Sequence, residues 1–314
     1  PINATMFGKK LDLSGKHVLI TGGSTGIGLA LAVEAVRCKS NVTIIARTEA
    51  RLQAAKAQLE DEARKKGTDS RVAYQAVDVT DAAKVREALA AAVREMGPVD
   101  VLICNAGNAH LGYFHETELE VFHRQMQLNY FGVLNVVHSL YGEMVRRNQG
   151  HIVMVGSALS GFGLVGYSAY CPSKYAVKGL ADALRNELQG TRVKVSFAMP
   201  PDTDTPGFAE ESKAKPPETK EISEAGATLF KPDKVAACIM DGIRRGVYLL
   251  PNPDLGLQVN ALTTQGLLPR SFPRVLLEML LGLLAPLLHW GFAGMFDRVS
   301  GKYAKRRFAS LWGA

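Results

Sequence analysis

The chain has 314 residues, of which 47% are hydrophobic and 21% charged, and its formal net charge is +7. This composition is ordinary for a folded protein with a sizeable core. The four cysteines show neither CxxC spacing nor clustering, which argues against a disulfide scaffold and favours a reducing compartment. The charge is modest and no base-stacking motif accompanies it, so nucleic-acid binding has little support.

Short apolar runs alternate with longer helical stretches along most of the chain. The predicted strands are His17–Thr21, Asn41–Ala46, Val72–Val77, Val99–Cys104, His151–Val155 and Val193–Ala198. The helices predicted between the first of these strands are Ile27–Cys38, Glu49–Lys66 and Asp81–Met96. Alternation of this kind, with β-branched strands, predicts an α/β fold in which a doubly wound parallel sheet (a Rossmann fold) forms a single domain.

The segment Asp202–Phe230 departs from this rhythm, because it is rich in Pro, Lys and Glu. We expect an irregular insertion after the carboxyl end of a strand. A substrate lid and a disordered surface loop are equally good interpretations of such a segment.

The C-terminal region is apolar. Val275–Phe296 carries one carboxylate, Glu278, and its length is close to the roughly 20 apolar residues that a helix needs to cross a bilayer. Pro286 and three glycines argue against one straight spanning helix and favour a kinked, re-entrant or interfacial segment. A buried core or dimer-interface helix is the alternative.

A basic tail follows the apolar segment directly, with Lys302, Lys305, Arg306 and Arg307. Next to a membrane segment, this tail is expected to contact anionic lipid. We therefore divide the chain into a Rossmann-fold domain, residues 11–270, and a membrane-associated segment, residues 271–314.

The first predicted strand runs into a glycine-rich turn, T-G-G-S-T-G-I-G. Glycines there allow the backbone to approach a pyrophosphate closely, and the following helix directs free N–H groups at that anion. The candidate cofactor-binding residues of this turn are Gly22, Ser24, Thr25, Gly26, Ile27 and Gly28.

The second predicted strand ends in Ala46-Arg47, where enzymes that select NAD usually place an acid for the ribose hydroxyls. Arg47, with Arg51 one helical turn later, suits the 2′-phosphate of NADPH. The alternative is a pair of solvated arginines. Further candidate cofactor contacts follow the third and fourth strands, at Asp78, Val79, Asn105, Ala106 and Gly107.

Ser157, Tyr170 and Lys174 form the strongest catalytic pattern in the sequence. Tyr170 and Lys174 are four residues apart, so a helix places both on one face. An ammonium beside a phenol should lower the pKa of the tyrosine, which then donates its proton to a carbonyl oxygen as hydride reaches the carbon. The Ser157 hydroxyl is placed to bind the same oxygen.

In this order, the motifs T-G-x-x-x-G-x-G, N-A-G, Ser and Y-x-x-x-K resemble those of the short-chain dehydrogenase/reductase family. The resemblance implies a dinucleotide-dependent oxidoreductase without a metal. It also implies that Asn129 supports the lysine through water and that Asp78 lies near the adenine. Tyr170 and Lys174 would also contact the cofactor.

One subgroup, the 3-ketodihydrosphingosine reductases, fits better than the family at large. The segment Pro200–Phe208, with Thr205 at the position that contacts the nicotinamide carboxamide, resembles its loop. This implies NADPH reduction of a long-chain ketosphingoid substrate at the endoplasmic reticulum membrane, with the active site facing the cytosol. Cys171-Pro172 departs from the usual small residues, and the proline indicates that a helix begins close to Tyr170.

Two other functions remain open from the sequence. A membrane-bound reductase of a retinoid, steroid or fatty-acyl ketone would share every catalytic residue. An NADP-sensing scaffold on the same fold commonly lacks part of the catalytic set, and none is missing here. The oligomeric state stays open, with a homo-oligomer among the alternatives.

Overall fold

The computed structural model describes residues 10–226, 228–264, 272–303 and 307. Its centre is a six-stranded parallel sheet in the order β3-β2-β1-β4-β5-β6. The strands are β1 His17–Thr21, β2 Asn41–Ala46, β3 Val72–Ala76, β4 Val101–Cys104, β5 Gly150–Val155 and β6 Val193–Ala198. This is the doubly wound topology of the Rossmann fold, and the predicted fold class is confirmed.

Helices cover both faces of the sheet. The helices of the described residues are α1 Gly26–Arg37, α2 Glu49–Lys66, α3 Ala82–Met96, α4 Leu119–Met126, α5 Gly132–Arg146, α6 Tyr170–Glu187, α7 Pro206–Ala214, α8 Pro217–Gly226, α9 Pro232–Arg245, α10 Leu255–Thr264 and α11 Phe272–Lys302. One apolar core lies between the sheet and α3, α5 and α6, and the other between the sheet and α1, α2 and α9.

Two predicted strands were too long by one or two residues. Val77 and Val99 are buried, with 6% and 1% of their surface exposed, yet they lie outside β3 and β4. Burial in a core and pairing in a hydrogen-bonded ladder are different conditions, and a run of apolar residues reports only the first.

The carboxyl ends of β1 and β4 meet where the strand order reverses, which is where open α/β sheets bind ligands. A π-helical segment, Gln127–Phe131, joins α4 to α5 beside this edge. Such π-bulges are frequent at functional sites.

The prediction of irregular structure across Asp202–Phe230 was wrong, because most of this segment forms α7 and α8. Thr205 caps α7 by accepting a hydrogen bond from the Phe208 amide at 3.0 Å, and Pro206 occupies the first helical position. Pro217 opens α8 in the same way, with a proline where no helical N–H bond is lost. A bridge between Thr203 and Phe230 closes the base of this helical lid.

The apolar C-terminal segment forms one continuous helix, α11, in which Pro286 is an interior residue. Of the three predicted forms, the re-entrant one is wrong because the helix has no break, while the kinked and interfacial forms stay predictions. A proline removes one backbone hydrogen bond of a helix. The remaining hydrogen bonds of this 31-residue helix keep it continuous on both sides of Pro286. Within the described residues, the stretch Val275–Lys302 is the one helix long and apolar enough to cross a membrane.

Candidate active site

A cavity of about 1250 Å³ lies at the carboxyl ends of the strands. Most of the predicted site residues line it, namely Gly22, Ser24, Thr25, Gly26, Ile27, Arg47, Arg51, Asp78, Val79, Asn105, Ala106, Gly107, Ser157, Tyr170, Lys174 and Thr205. Gly28 and Asn129 do not line the cavity, and both lie behind its surface. Its size exceeds that of an ordinary drug-sized pocket, which leaves room for a dinucleotide and a second molecule.

The glycine turn is shaped so that only glycine fits at key positions. Gly22 and Gly26 have φ values of +67° and +56°, in the left-handed region. At Gly28 an added Cβ would lie 2.1 Å from the Gly22 carbonyl oxygen and 2.5 Å from Asn105 Nδ2. The turn thus packs against the start of α1, and the free N–H groups of such a helix start can bind a phosphate.

Asn105 holds this turn in place. Its Nδ2 donates to the carbonyl oxygens of Thr21 at 3.2 Å and Gly22 at 3.3 Å. In return, the backbone amides of Asn105 and Ala106 donate to Thr21 Oγ1 at 3.0 and 3.1 Å. The asparagine therefore cross-links the ends of β1 and β4, a positioning role that the sequence prediction of cofactor contact did not include.

Two arginines follow β2 at the far end of the cavity. Arg47 and Arg51 are both exposed, and Arg47 Nη1 lies 3.9 Å from Asp78 Oδ2. An exposed pair at this distance contributes little stability, so a ligand anion can compete for the guanidinium. Asp78 Oδ1 is occupied by the Thr80 amide at 2.9 Å and the Thr80 hydroxyl at 2.8 Å. Asp78 thereby orders the loop after β3.

Tyr170, Lys174 and Ser157 come together at the centre of the cavity. Helix α6 begins at Tyr170, with Pro172 in its first turn, as predicted from the Cys171-Pro172 dipeptide. Lys174 Nζ lies 5.8 Å from the centre of the Tyr170 ring and donates to the Val155 carbonyl at 3.2 Å. Ser157 follows β5, and its hydroxyl accepts a hydrogen bond from the Leu159 amide at 3.1 Å.

The expected lowering of the tyrosine pKa is not found in the chain alone. Burial raises the pKa of Tyr170, and a hydrogen bond with the Ser157 side chain opposes that rise only in part. Burial also lowers the pKa of Lys174 to about 8. The low-polarity surroundings disfavour both charged forms, and this desolvation exceeds the influence of the ammonium on the phenol. A neutral phenol is nevertheless the form that donates a proton in a reduction.

Asn129 is fully buried in a polar network behind the cavity. Its Oδ1 accepts from the Asn108 amide at 3.0 Å, and its Nδ2 donates to the Asn108 carbonyl at 2.9 Å and to Ser173 Oγ at 3.0 Å. The Ser173 hydroxyl in turn donates to the Tyr170 carbonyl at 2.6 Å. Asn129 thus links the loop after β4 to the first turn of α6.

Sequence reasoning missed Gln125, which belongs to the same network. It is 4% exposed, accepts from the His110 amide at 3.3 Å and donates to Asn108 Oδ1 at 2.8 Å. The one sequence signal was a glutamine four residues before Asn129, on the same helical face. An added Cβ at Gly107 would lie 2.8 Å from Asn129 Oδ1 and 3.3 Å from Lys174 Nζ, so the network needs glycine there.

The second half of the cavity is mostly apolar. The described residues that supply its hydrophobic surface include Leu159, Phe162, Leu164, Ile222, Phe292 and Phe296. The last two come from α11, and the rings of Phe162 and Phe296 lie 6.2 Å apart. The C-terminal helix therefore forms part of the cleft. Its apolar composition predicted a membrane segment, with a core or dimer-interface helix as the alternative, and did not predict a place in the site.

The basic tail also contacts the lid. Arg307 Nη2 lies 2.5 Å from Glu218 Oε1, and the Glu218 side chain is fully buried. Lys302 Nζ pairs with Glu221 Oε2 at 2.8 Å. These charges are matched by carboxylates of α8, so the prediction that they bind anionic lipid was wrong for Arg307. Lys305 and Arg306 lie outside the described residues.

A family model for short chain dehydrogenases matches residues 16–216, which contain the glycine turn, the N-A-G segment and the tyrosine–lysine pair. The chain belongs to the short-chain dehydrogenase family. The match covers the whole six-stranded sheet and ends within the lid.

Two similar proteins align with more of this short-chain dehydrogenase than the family model does. It is 39% identical over 257 residues to a 3-dehydrosphinganine reductase of Danio rerio, covering 81% of this chain and 76% of the relative. It is 38% identical over 257 residues to a 3-ketodihydrosphingosine reductase of Bos taurus, with the same coverage of each chain.

Among solved structures, an alcohol dehydrogenase of the archaeon Thermococcus sibiricus complexed with 5-hydroxy-NADP is similar. Its TM-score is 0.64 at 26% identity, covering 75% of this chain and 94% of the other. The likeness agrees with the fold of this short-chain dehydrogenase.

Proposed function

We propose that the chain reduces the ketone of 3-ketodihydrosphingosine to the alcohol of dihydrosphingosine, with NADPH as the hydride donor. The observation that carries the proposal is a complete Ser157, Tyr170 and Lys174 set at the centre of a cleft whose other half is mostly apolar. Relatives named for this reaction align with four fifths of the chain, including all of these residues, and support the choice of substrate.

The cofactor end of the cleft suits a dinucleotide. The glycine turn provides a cradle that a Cβ would fill, and the start of α1 supplies backbone donors for the pyrophosphate. Arg47 and Arg51 are the residues that would hold the 2′-phosphate, and Ala46 provides no carboxylate to bind a free 2′-hydroxyl. These features favour NADPH over NADH. When bound, the cofactor supplies hydride to the ketone carbon.

The chain's own residues provide the proton and the orientation. Tyr170 carries the proton that passes to the ketone oxygen, and burial keeps its phenol neutral until then. Ser157 would donate a hydrogen bond to the same oxygen while its own oxygen accepts from the Leu159 amide. Lys174, fixed by the Val155 carbonyl, supplies positive charge near the phenol as the proton leaves.

The location of the enzyme follows from the same substrate, since a long-chain ketosphingoid base partitions into lipid. We propose that residues 11–270 form the reductase domain and that α11 embeds in the endoplasmic reticulum membrane, with the cleft facing the cytosol. The outer surface of α11 exposes a run of large apolar side chains, Leu276, Leu277, Met279, Leu280, Leu283, Leu284, Leu287, Leu288 and Trp290. A patch of that size on a soluble monomer is unusual and marks a membrane or protein contact.

Deletion from Arg274 onward tests this location. The truncated chain should leave the membrane fraction, and it should lose more activity with long-chain ketones than with short soluble ones, because α11 lines the apolar half of the cleft. A truncated chain that still pellets with membranes would contradict the role of α11 as anchor. One that aggregates or unfolds would identify α11 as core or interface.

The substrate itself is tested by NADPH oxidation in detergent micelles. We expect turnover with 3-ketodihydrosphingosine, formation of dihydrosphingosine, and much lower turnover with retinal or steroid ketones. NADH in place of NADPH should give weaker turnover. Preference for a retinoid or steroid ketone would overturn the proposed substrate, and cofactor binding without turnover of any ketone would favour a sensing scaffold.

A further inference from the structure

A buried lysine in the lid shares two carboxylates that reach the cleft. Lys215 Nζ lies 3.5 Å from Asp202 Oδ2 and 4.0 Å from Glu211 Oε1, and the Lys215 side chain is only 5% exposed. The ammonium also sits 4.3 Å from the centre of the Phe208 ring. Asp202 and Glu211 line the cavity, whereas Lys215 lies behind them.

The charges of this group do not balance. Two carboxylates share a single ammonium, so one negative charge is left on the side that faces the cleft. Glu211 Oε1 accepts a hydrogen bond from the Tyr167 hydroxyl at 2.5 Å, while no donor among the described residues bonds Oε2. Burial raises the pKa of Glu211 by disfavouring its charged form, and the Tyr167 hydrogen bond and the Lys215 ammonium offset that rise only in part. A cationic ligand would supply the second positive charge that the two carboxylates lack.

Glu211 is also close to the proton donor. The Tyr167 ring connects the two, since its hydroxyl bonds Glu211 and its centre lies 5.9 Å from that of the Tyr170 ring. Tyr167 is 3% exposed, so it holds the carboxylate from the protein side. Glu211 and Tyr170 therefore line the same cavity with one tyrosine ring linking them, so a ligand bound at Tyr170 can extend towards Glu211.

We propose that Glu211, positioned by Tyr167 and Lys215, binds the ammonium group on the carbon adjacent to the ketone of the substrate. The inference rests on the proposed function and assigns the residue that recognises the 2-amino group of its substrate. It also orients the substrate, with the ketone at Tyr170, the ammonium at Glu211 and the alkyl chain along the apolar half of the cleft. The carboxylate distinguishes such ketones from retinoid, steroid or fatty-acyl ketones, which carry no cation.

The test compares two ketones that differ in one group. The first is 3-ketodihydrosphingosine, and the second has the same chain and 1-hydroxyl with hydrogen in place of the amine. At roughly pH 6.5 the amine is charged, because an amine next to a carbonyl resembles an α-amino group with a pKa of about 7.7–8.0. Glu211→Gln should raise KM for the amino ketone by about ten- to hundred-fold, the effect of one charge-assisted hydrogen bond. KM for the desamino ketone should change by less than about twofold, because this ketone has no ammonium group to bond Glu211.

Glu60→Gln is the matched control, since it makes the same substitution at a carboxylate of α2 that lies outside the cleft and pairs with Lys56 at 3.7 Å. It should leave KM for both ketones unchanged. Glu211→Asp keeps the charge and should recover part of the loss, which a merely structural role would not predict.

The outcomes separate the inference from the proposed function. If the wild-type chain does not turn over the amino ketone, the proposed function fails. If it does, and Glu211→Gln and Glu211→Asp alter the KM values of both ketones equally, the function stands and the inference is wrong.

Discussion

The close packing of the glycine turn makes Gly28→Ala the most informative single-atom change. The added Cβ would lie 2.1 Å from the Gly22 carbonyl oxygen and 2.5 Å from Asn105 Nδ2. Both atoms are fixed, one by the backbone and the other by hydrogen bonds to Thr21 and Gly22, so the turn must move by roughly 1 Å. Overpacking of this kind destabilises a protein by about 1–3 kcal/mol.

Movement of the turn should affect the cofactor more than the fold. Loss of one charge-assisted hydrogen bond from the turn to a phosphate corresponds to a Kd for NADPH raised about ten- to hundred-fold. The melting temperature should fall by only about 2–4 °C per kcal/mol. Titration calorimetry with NADPH and thermal unfolding in the same detergent measure both quantities.

Gly179→Ala is the matched control, because Gly179 lies in the exposed part of α6 with no atom within 4 Å of an added Cβ. It should leave the Kd unchanged and stabilise the helix by up to about 1 kcal/mol. A Gly28→Ala chain that binds NADPH within twofold of wild type would refute the assignment of this turn as the phosphate cradle.

Three further predictions follow from the site and the lid. Arg47→Ala should raise KM for NADPH about ten- to hundred-fold while changing KM for NADH little, because only NADPH carries the 2′-phosphate, and equal changes would contradict that role. The buried Lys174 has a pKa of about 8, so its ammonium loses a proton as pH rises through that value, and kcat/KM should fall there. A kcat/KM that stays constant from about pH 7 to 9, one unit either side of that pKa, would count against a role for the charged lysine. Arg307→Ala removes the cation that pairs with the buried Glu218, and breaking such a buried pair costs about 3–5 kcal/mol. Amide hydrogen exchange should therefore become faster in α8 but not in β1, and unchanged exchange in α8 would show that the pair does not hold the lid.

The sheet and the order of the site residues were predictable because their signals are local. β1, β2, β6 and α2 have the bounds predicted from apolar runs and helical composition. The Pro172 that follows Tyr170 correctly placed the start of α6, since proline is tolerated in a first helical turn.

A lid was one of the two predicted interpretations of this segment, but its helices α7 and α8 were not predicted, because the segment was judged by its overall polarity. Its Pro-, Lys- and Glu-rich composition suggested irregular structure. The threonine cap and the proline after it are the local features that start α7. The lesson is that capping residues decide helix formation in a polar segment where apolar periodicity is weak.

Other features depend on contacts between distant parts of the chain. The pair of Arg307 with Glu218 joins residues 89 apart, and the bond from Tyr167 to Glu211 joins residues 44 apart. The pKa of Tyr170 depends on how far the folded chain excludes water from its hydroxyl, and this cannot be read from a sequence motif. The path of α11 along the cleft likewise follows from tertiary packing, because its composition indicated a membrane segment or a buried helix and not a place beside the cleft.

The central claim is that Tyr170 gives its proton to the ketone oxygen during reduction by NADPH. Tyr170→Phe keeps the ring and removes the hydroxyl, so the Kd for NADPH should stay near that of wild type. Single-turnover reduction of 3-ketodihydrosphingosine should slow by about 10²–10⁴-fold, the usual contribution of general-acid catalysis. Near-normal reduction by this variant would contradict the claim.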